Sequence, residues 1–171
     1  MEKPVKQLEP PDTHHLLAAQ GWLGLGNFLE ADEELEKITP QLRDHPAVLS
    51  VRYEIYAKAK KWDVAADIAD ALVKMMPDQL SAWICLAYAT RRKAGGGIPS
   101  AKQILIEAES KFPGESLIRY NLACYECQLG NLKEAMKWVE KAIAVGGKKD
   151  IQMMALDDPD LEPLWREISE I

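Results

Sequence analysis

Residues 120–142, YNLACYECQLGNLKEAMKWVEKA, decide the fold of this 171-residue chain. They form two runs with helical periodicity, separated by Gly130-Asn131, a pair typical of a tight turn between helices. The second run places Ala135, Val139 and Ala142 on one helix face, at steps of four and three residues. The stretch therefore predicts a hairpin of two antiparallel helices that meet through small and apolar side chains.

The same pattern recurs along the chain at a nearly fixed period. Three columns repeat at separations of 34, 36 and 34 residues: Ala31, Ala65, Ala101 and Ala135; Leu35, Ala69, Leu105 and Val139; Ile38, Leu72, Ala108 and Ala142. The preceding helices give a fourth column, Ala18, Arg52, Leu86 and Leu122, at separations of 34, 34 and 36. Such a period indicates paired helices that bury their apolar faces only by stacking on neighbouring pairs.

The repeats resemble the tetratricopeptide repeat. The third unit follows the family's pattern at Trp83, Leu86, Ala87, Ala101, Leu105 and Pro113, and residues 120–142 match it best. The second unit departs from it, because Lys60 stands at the turn glycine and Arg52 stands in a usually apolar column. The resemblance covers roughly residues 14–146 as four units.

We therefore predict an all-α fold: a right-handed solenoid of antiparallel helix pairs, with four tetratricopeptide-like units and a C-terminal capping helix. The predicted division is a mobile N-terminal tail over 1–11, hairpins over 12–45, 46–78, 79–114 and 115–146, and a cap over 147–171. Asp12-Thr13 is expected to provide the cap of the first helix. Asp158 and Pro159 are expected to begin the capping helix, whose apolar stripe is Leu161, Leu164, Trp165 and Ile168.

Charge and composition exclude several classes of protein. A net charge of −6 argues against a general nucleic-acid binder, which needs clustered Lys and Arg. Three cysteines are too few for a disulfide framework, and no stretch approaches the roughly 18 apolar residues of a membrane span. The N-terminus also lacks the apolar segment of a signal peptide. We expect a cytoplasmic protein without nucleic-acid or membrane partners.

Cys124-x-x-Cys127 has a spacing found in zinc sites and dithiol redox enzymes. On a helix the two Cβ atoms lie about 5–6 Å apart, whereas a disulfide needs about 3.5–4.5 Å. The pair also lies two turns beyond the helix start, so the helix dipole does not activate it. Cys85 on a neighbouring helix would be a third zinc ligand, but no His lies near these cysteines in the sequence. We expect two small helix residues, with a thiol or metal site as a minor alternative.

No nucleophile–base arrangement, phosphate loop or metalloprotease motif is visible in the sequence. The protein is therefore not expected to be an enzyme, and we predict no catalytic residue, metal or cofactor.

In tetratricopeptide repeat proteins the first helix of each pair lines the concave side, and the resemblance therefore implies a peptide-binding groove. Its predicted residues are Ser50, Glu54, Lys58, Ile84, Tyr88, Arg91, Arg92, Tyr120, Cys124 and Gln128. The alternative is that the two arginines are solvated and Tyr88 packs between units. Some family members bind an acidic C-terminus through groove Lys and Asn residues. Only Asn121 matches that set, so a clamp of that type is not expected.

These observations predict a protein–protein interaction module or scaffold that binds a peptide or a partner helix in its concave groove. The alternative is a structural protein that self-assembles, for example as a homodimer, through repeat edges and exposed aromatic residues such as Trp138.

Overall fold

The computed structural model describes residues 7–171, which form two compact units divided between Ala94 and Gly95. The first contains α1 (Asp12–Gly24), α2 (Phe28–Glu36), a 3₁₀ turn (Pro40–Leu42), α3 (Pro46–Lys58), α4 (Trp62–Met75) and α5 (Leu80–Arg92). The second contains α6 (Ile98–Lys111), α7 (Ser116–Gln128), α8 (Leu132–Gly146), α9 (Lys148–Asp157), a 3₁₀ segment (Pro159–Leu164) and α10 (Trp165–Glu170). No strand occurs within 7–171, and the predicted all-α class is confirmed.

The predicted division into a tail, four hairpins and a cap stays a prediction. The boundary between the two units, at Gly95, falls inside the segment expected to be the third hairpin. Residues 1–6 of the expected mobile tail lie outside the described part of the chain. Leu8, in the rest of that tail, packs against the core of α1, α2 and α3. None of the described helices combines the length and apolar character needed to cross a membrane.

The three repeat columns that begin at Ala31, Leu35 and Ile38 lie in or next to the second helix of each predicted pair, and they form the centre of the packing. All twelve of their side chains are buried, at 3% exposure or less. Neighbouring helices pack in pairs, α1 with α2, α3 with α4 and α7 with α8. Alanine at Ala31, Ala65, Ala101 and Ala135 leaves room for the close approach of the neighbouring helix, which a longer side chain would prevent.

Arg52, the charged residue in the column of the first helices, is held by ion pairs. It is half-buried, and its Nη2 donates to Glu36 Oε1 at 2.8 Å. Its Nη1 lies 3.7 Å from Asp32 Oδ1, while Tyr56 donates to the other oxygen of Asp32 at 3.1 Å. The guanidinium therefore keeps charged partners at a position where the other repeats carry apolar side chains.

Lys60 adopts the backbone conformation of the glycine that it replaces. Its φ is +58°, while Gly26 and Gly130 end α1 and α7 with φ of +78° and +80°. The left-handed conformation lets the backbone N–H groups after a helix bond back to its last carbonyls, as Lys61 N–H does to Tyr56 O at 2.9 Å. A residue with a Cβ adopts it at a cost of about 1–2 kcal/mol.

Two expected helix caps have different outcomes. Asp12 makes no capping bond to its own helix and is buried instead, where its Oδ1 accepts from Thr39 N at 2.7 Å and ties α1 to the end of α2. Asp158 caps as predicted, since its Oδ1 accepts from Asp160 N at 2.9 Å. The element that it begins is a 3₁₀ segment before α10, and Pro163 within it has no N–H to donate to an α-helical bond.

Candidate functional site

In the first unit, three predicted groove residues form an exposed stripe along α5. Ile84, Tyr88 and Arg92 follow each other at steps of four residues, which places them on one helix face. Tyr88 is 45% exposed, and Arg92 is also exposed, while Ile84 is half-buried. Arg91 is half-buried beside this stripe.

Arg92 is held over two aromatic rings. Its guanidinium carbon lies 3.5 Å from the Tyr88 ring centroid and 5.5 Å from that of Trp62. The two rings meet edge to face at 5.7 Å, and Arg92 Nη1 donates to Tyr88 O at 3.0 Å. Cation–π contacts and this bond order a charged side chain at the surface. Within 7–171 no carboxylate lies within ion-pair distance of Arg92.

A small pocket opens beside this stripe, among α3, α4 and α5. It has a volume of about 180 Å³ and is lined by Ser50, Tyr53, Glu54, Leu72, Met76, Ser81, Ala82 and Cys85. Small-molecule sites measure roughly 300–1,000 Å³. The pocket is therefore sized for one side chain of a partner.

The polar groups of the pocket are mostly bonded within the protein. Tyr53 donates its hydroxyl to Cys85 O at 3.1 Å, and Ser50 donates its hydroxyl to Pro46 O at 2.9 Å. Burial raises the pKa of both the Tyr53 hydroxyl and the Cys85 thiol, so both are neutral at pH 7. Glu54 and Lys58, the other groove residues predicted on α3, are both exposed, and Glu54 lines the pocket.

In the second unit, the three predicted groove residues contact the chain's own C-terminal region. Tyr120 donates its hydroxyl to Asp158 Oδ2 at 2.8 Å, and Cys124 Sγ lies 3.6 Å from the same oxygen. Gln128 Nε2 donates to Asp160 O at 3.0 Å. Tyr120 and Cys124 are buried at 5% and 4% exposure. We therefore leave these residues out of the binding surface proposed below.

The cysteines lack the environment of a reactive site. Cys124 and Cys127 are buried, and Cys85 is half-buried. Burial raises the pKa of the Cys124 and Cys127 thiols, and the carboxylates of Asp158 and Asp160 add to the effect at Cys124. A raised pKa lowers the thiolate fraction, which is the nucleophilic and metal-binding form. Among residues 7–171 no group of three or more His, Cys, Asp or Glu side chains is arranged to hold a metal ion.

Sequence reasoning missed Trp62 and the contact of Asp158 with α7. Trp62 lies at the start of α4, where no pattern connects it with the α5 stripe. Asp158 did leave a signal, because it lies 34 residues after Cys124, one repeat period further along the chain. This separation is the sequence signal that could have connected Asp158 with Cys124.

Solved structures similar to this chain are helical proteins of comparable length. MamA RS-1, as its ArsTM double mutant, superposes with a TM-score of 0.69 at 15% identity over 84% of this chain and 79% of its own. TTC0263, a tetratricopeptide repeat protein of Thermus thermophilus, has a TM-score of 0.63 at 17% identity over 94% and 100%. MamA MSR-1 C2 has a TM-score of 0.63 at 14% identity over 95% and 97%.

No protein-family model and no curated protein matches the sequence. At identities of 14–17% the structural likeness bears on the fold alone. The helix pairs, the buried columns and these superpositions agree with the resemblance predicted from the repeats. The chain has the all-α helical-repeat fold of tetratricopeptide repeat proteins.

Proposed function

We propose that this protein is a non-catalytic protein-interaction module whose first unit binds a segment of a partner protein along α3 and α5. The observation that carries the proposal is the stack of exposed Tyr88 and Arg92 on half-buried Trp62, beside a pocket sized for one side chain. Aromatic and arginine side chains dominate the binding energy of protein interfaces. The ordered arginine loses little conformational freedom on binding, which favours affinity.

A photo-crosslinking amino acid placed at Ile84 tests this proposal in extracts of the cell that produces the protein. The matched control places it at Lys137, an exposed residue of α8. We expect crosslinked partners specific to position 84, and we expect their loss when Tyr88→Ala and Arg92→Ala are combined. The same partners at both positions, or partners retained by the double variant, would show that this surface does not bind them.

A second candidate function is self-assembly through the first helix pair. Leu25 and Leu29 flank the turn between α1 and α2 and are 78% and 70% exposed, and Leu17 is 63% exposed. Exposed apolar side chains that lie together mark interaction surfaces. Trp138, the aromatic residue expected to be exposed for this role, is half-buried, and Lys141 Nζ lies 3.8 Å from its ring centroid.

Sedimentation over a range of concentrations tests this alternative. If the α1–α2 surface drives association, the wild type shows a concentration-dependent increase in mass that Leu25→Asp with Leu29→Asp abolishes. If the protein sediments with the mass of a monomer at every concentration, self-assembly is excluded and the interaction module remains the proposed function.

A further inference from the structure

α9 buries one of its faces and leaves apolar side chains exposed on the opposite one. Ile151 and Ala155, on the inner face, are 4% and 0% exposed. On the outer face Met153 and Met154 are 63% and 42% exposed, and Leu156 is 38% exposed. These three side chains lie within four residues of one another on the same helix. They form a single patch, which we call the α9 surface.

An open cavity of about 860 Å³ adjoins the α9 surface. All three side chains of the surface line this cavity, together with Tyr120, Asp157 and Asp158. It is about five times as large as the pocket beside α5. The pocket beside α5 accommodates one side chain, whereas this cavity accommodates several side chains of a partner at once.

The net charge of the protein is concentrated in the segment that carries the α9 surface. Residues 1–149 contain 20 basic and 20 acidic side chains and carry no net charge. Residues 150–171 contain seven acidic side chains and one arginine, which accounts for the net charge of −6. Asp157 and Asp158 line the cavity, and Asp150 lies one helical turn before Met153 and Met154 on the outer face of α9.

The carboxylates that border the α9 surface are not neutralised by neighbouring cations. Asp150 and Asp157 are exposed, and neither has an ion-pair partner among residues 7–171. Asp158 accepts from the Tyr120 hydroxyl and from Asp160 N, which are uncharged donors. The one basic side chain on the outer face is Lys149, at the start of α9. A cation of a partner is therefore attracted most strongly to the Asp157 end of the surface.

From these observations we infer that the α9 surface binds a basic amphipathic helix of a partner protein. The inference goes beyond the proposed function, because this surface belongs to the second unit and takes a partner of its own. The apolar face of the partner helix covers Met153, Met154 and Leu156. Its Lys or Arg side chains extend past these residues to the carboxylates of Asp150 and Asp157, which makes the two surfaces complementary in charge.

The chemistry of the α9 surface favours a helix over an extended segment. An extended segment on this patch would bury backbone N–H and C=O groups without partners, since the described residues include no strand edge that could pair with them. A helix bonds these groups internally. Met153 and Met154 are unbranched and flexible, so they adapt to the ridges of a helix that packs across α9.

The probe is the synthetic peptide acetyl-LKKLLKLLKKLLKL-amide, which forms a basic amphipathic helix about 20 Å long. Three matched peptides separate its properties: LEELLELLEELLEL reverses the charge, SKKSSKSSKKSSKS removes the apolar face, and LKKLLKPLKKLLKL breaks the helix at its centre. The backbone amide shifts of the ¹⁵N-labelled full-length chain locate each peptide. We expect the basic peptide to shift the residues of α9, and the three altered peptides to bind at least tenfold more weakly.

Protein variants test the apolar part of the surface. Met153→Ser combined with Met154→Ser is expected to weaken the binding of LKKLLKLLKKLLKL about tenfold, and leucine at both positions should preserve it. The matched control is Leu17→Ser in the first unit, because Leu17 is also 63% exposed. We expect this control to change the affinity less than about twofold.

A second pair of variants tests the charge. Asp157→Asn is expected to weaken the binding about threefold and to reduce its dependence on salt. Asp63→Asn, at an exposed position of α4, makes the same change of charge in the first unit and should leave the affinity unchanged.

Several results would overturn the inference. If LEELLELLEELLEL binds α9 as tightly as the basic peptide, the charge preference is wrong, and equal binding of the proline peptide would show that the partner is not a helix. Equal losses in the methionine variant and in Leu17→Ser would mean that the peptide adheres without a specific site. If the protein alone associates in sedimentation and the methionine variant abolishes this, a second copy covers the surface instead.

The inference and the proposed function can fail separately. If no peptide binds at about 1 mM, the α9 surface is not a binding site for a basic helix. The crosslinks from position 84 report on the first unit, so they decide the proposed function whatever the peptides show.

Discussion

Replacing Asp158 with alanine should destabilise the second unit, because this carboxylate joins the C-terminal region to α7. Its Oδ2 accepts from the Tyr120 hydroxyl at 2.8 Å and lies 3.6 Å from Cys124 Sγ. Its Oδ1 caps the 3₁₀ segment by accepting from Asp160 N at 2.9 Å. Alanine removes all of these contacts and leaves the backbone path unchanged.

The expected loss follows from the two stronger contacts. A helix cap contributes about 1 kcal/mol, and a hydrogen bond to a charged group contributes about 1.5–3 kcal/mol. The Tyr120 hydroxyl keeps Met154 O at 3.2 Å as a second acceptor, so it is not left without a partner. We therefore expect Asp158→Ala to lower the free energy of unfolding by about 2–4 kcal/mol.

Two further variants make the measurement specific. Asp158→Asn keeps an acceptor and a good cap, and its loss should be about half as large, because charge-assisted bonds are roughly twice as strong as neutral ones. Asp157→Ala removes the neighbouring carboxylate, which is exposed, and should change the stability by less than about 0.5 kcal/mol.

Urea unfolding followed by Trp165 fluorescence reports on this region. The Trp165 indole N–H donates to Ala155 O at 2.9 Å and to Asp158 O at 3.2 Å, so its emission changes when the C-terminal segment leaves α7. Equal midpoints for Asp158→Ala and Asp157→Ala would refute the assignment of Asp158 as the residue that holds the segment.

Three further predictions concern the turn at Lys60, the cysteine thiols, and the change in the free energy of unfolding as the pH falls. Lys60→Gly should raise the free energy of unfolding by up to about 1 kcal/mol, because glycine adopts positive φ without strain; an unchanged urea midpoint would contradict the strain at this turn. In native protein at pH 8 an aromatic disulfide reagent should modify half-buried Cys85 first, with Cys124 reacting only on unfolding, as mass spectrometry of digests will show. Hydrogen bonds from Lys37 and His15 lower the pKa of Glu34 below its ordinary 4.5, so its contribution is present above that pH and is lost as the pH falls through the folded-state pKa. Glu34→Gln should therefore flatten the loss of stability between pH 7 and pH 3, and an unchanged slope would show that this carboxylate contributes nothing there.

The repeat columns are sufficient to predict the fold class. Ala65, Ala69 and Leu72 recur at fixed distances in the other units, and all of their counterparts are buried. This prediction succeeded because helical periodicity is a local property, and a repeat multiplies the same local signal several times. The raised pKa of the Cys124 and Cys127 thiols agrees with their position away from a helix start, which helix geometry alone predicts.

The sequence by itself therefore determined the helix pairs, the buried columns and the stripe of Ile84, Tyr88 and Arg92 along α5. Only the tertiary structure decided that α7 is covered, because the path of the chain after α9 brings Asp158 back to Tyr120. It also decided that Trp62 supports Arg92, since these residues belong to different helices whose contact has no local periodicity. Side chains on one helix are related by the 3.6-residue turn, whereas contacts between helices depend on how the packed core orients them.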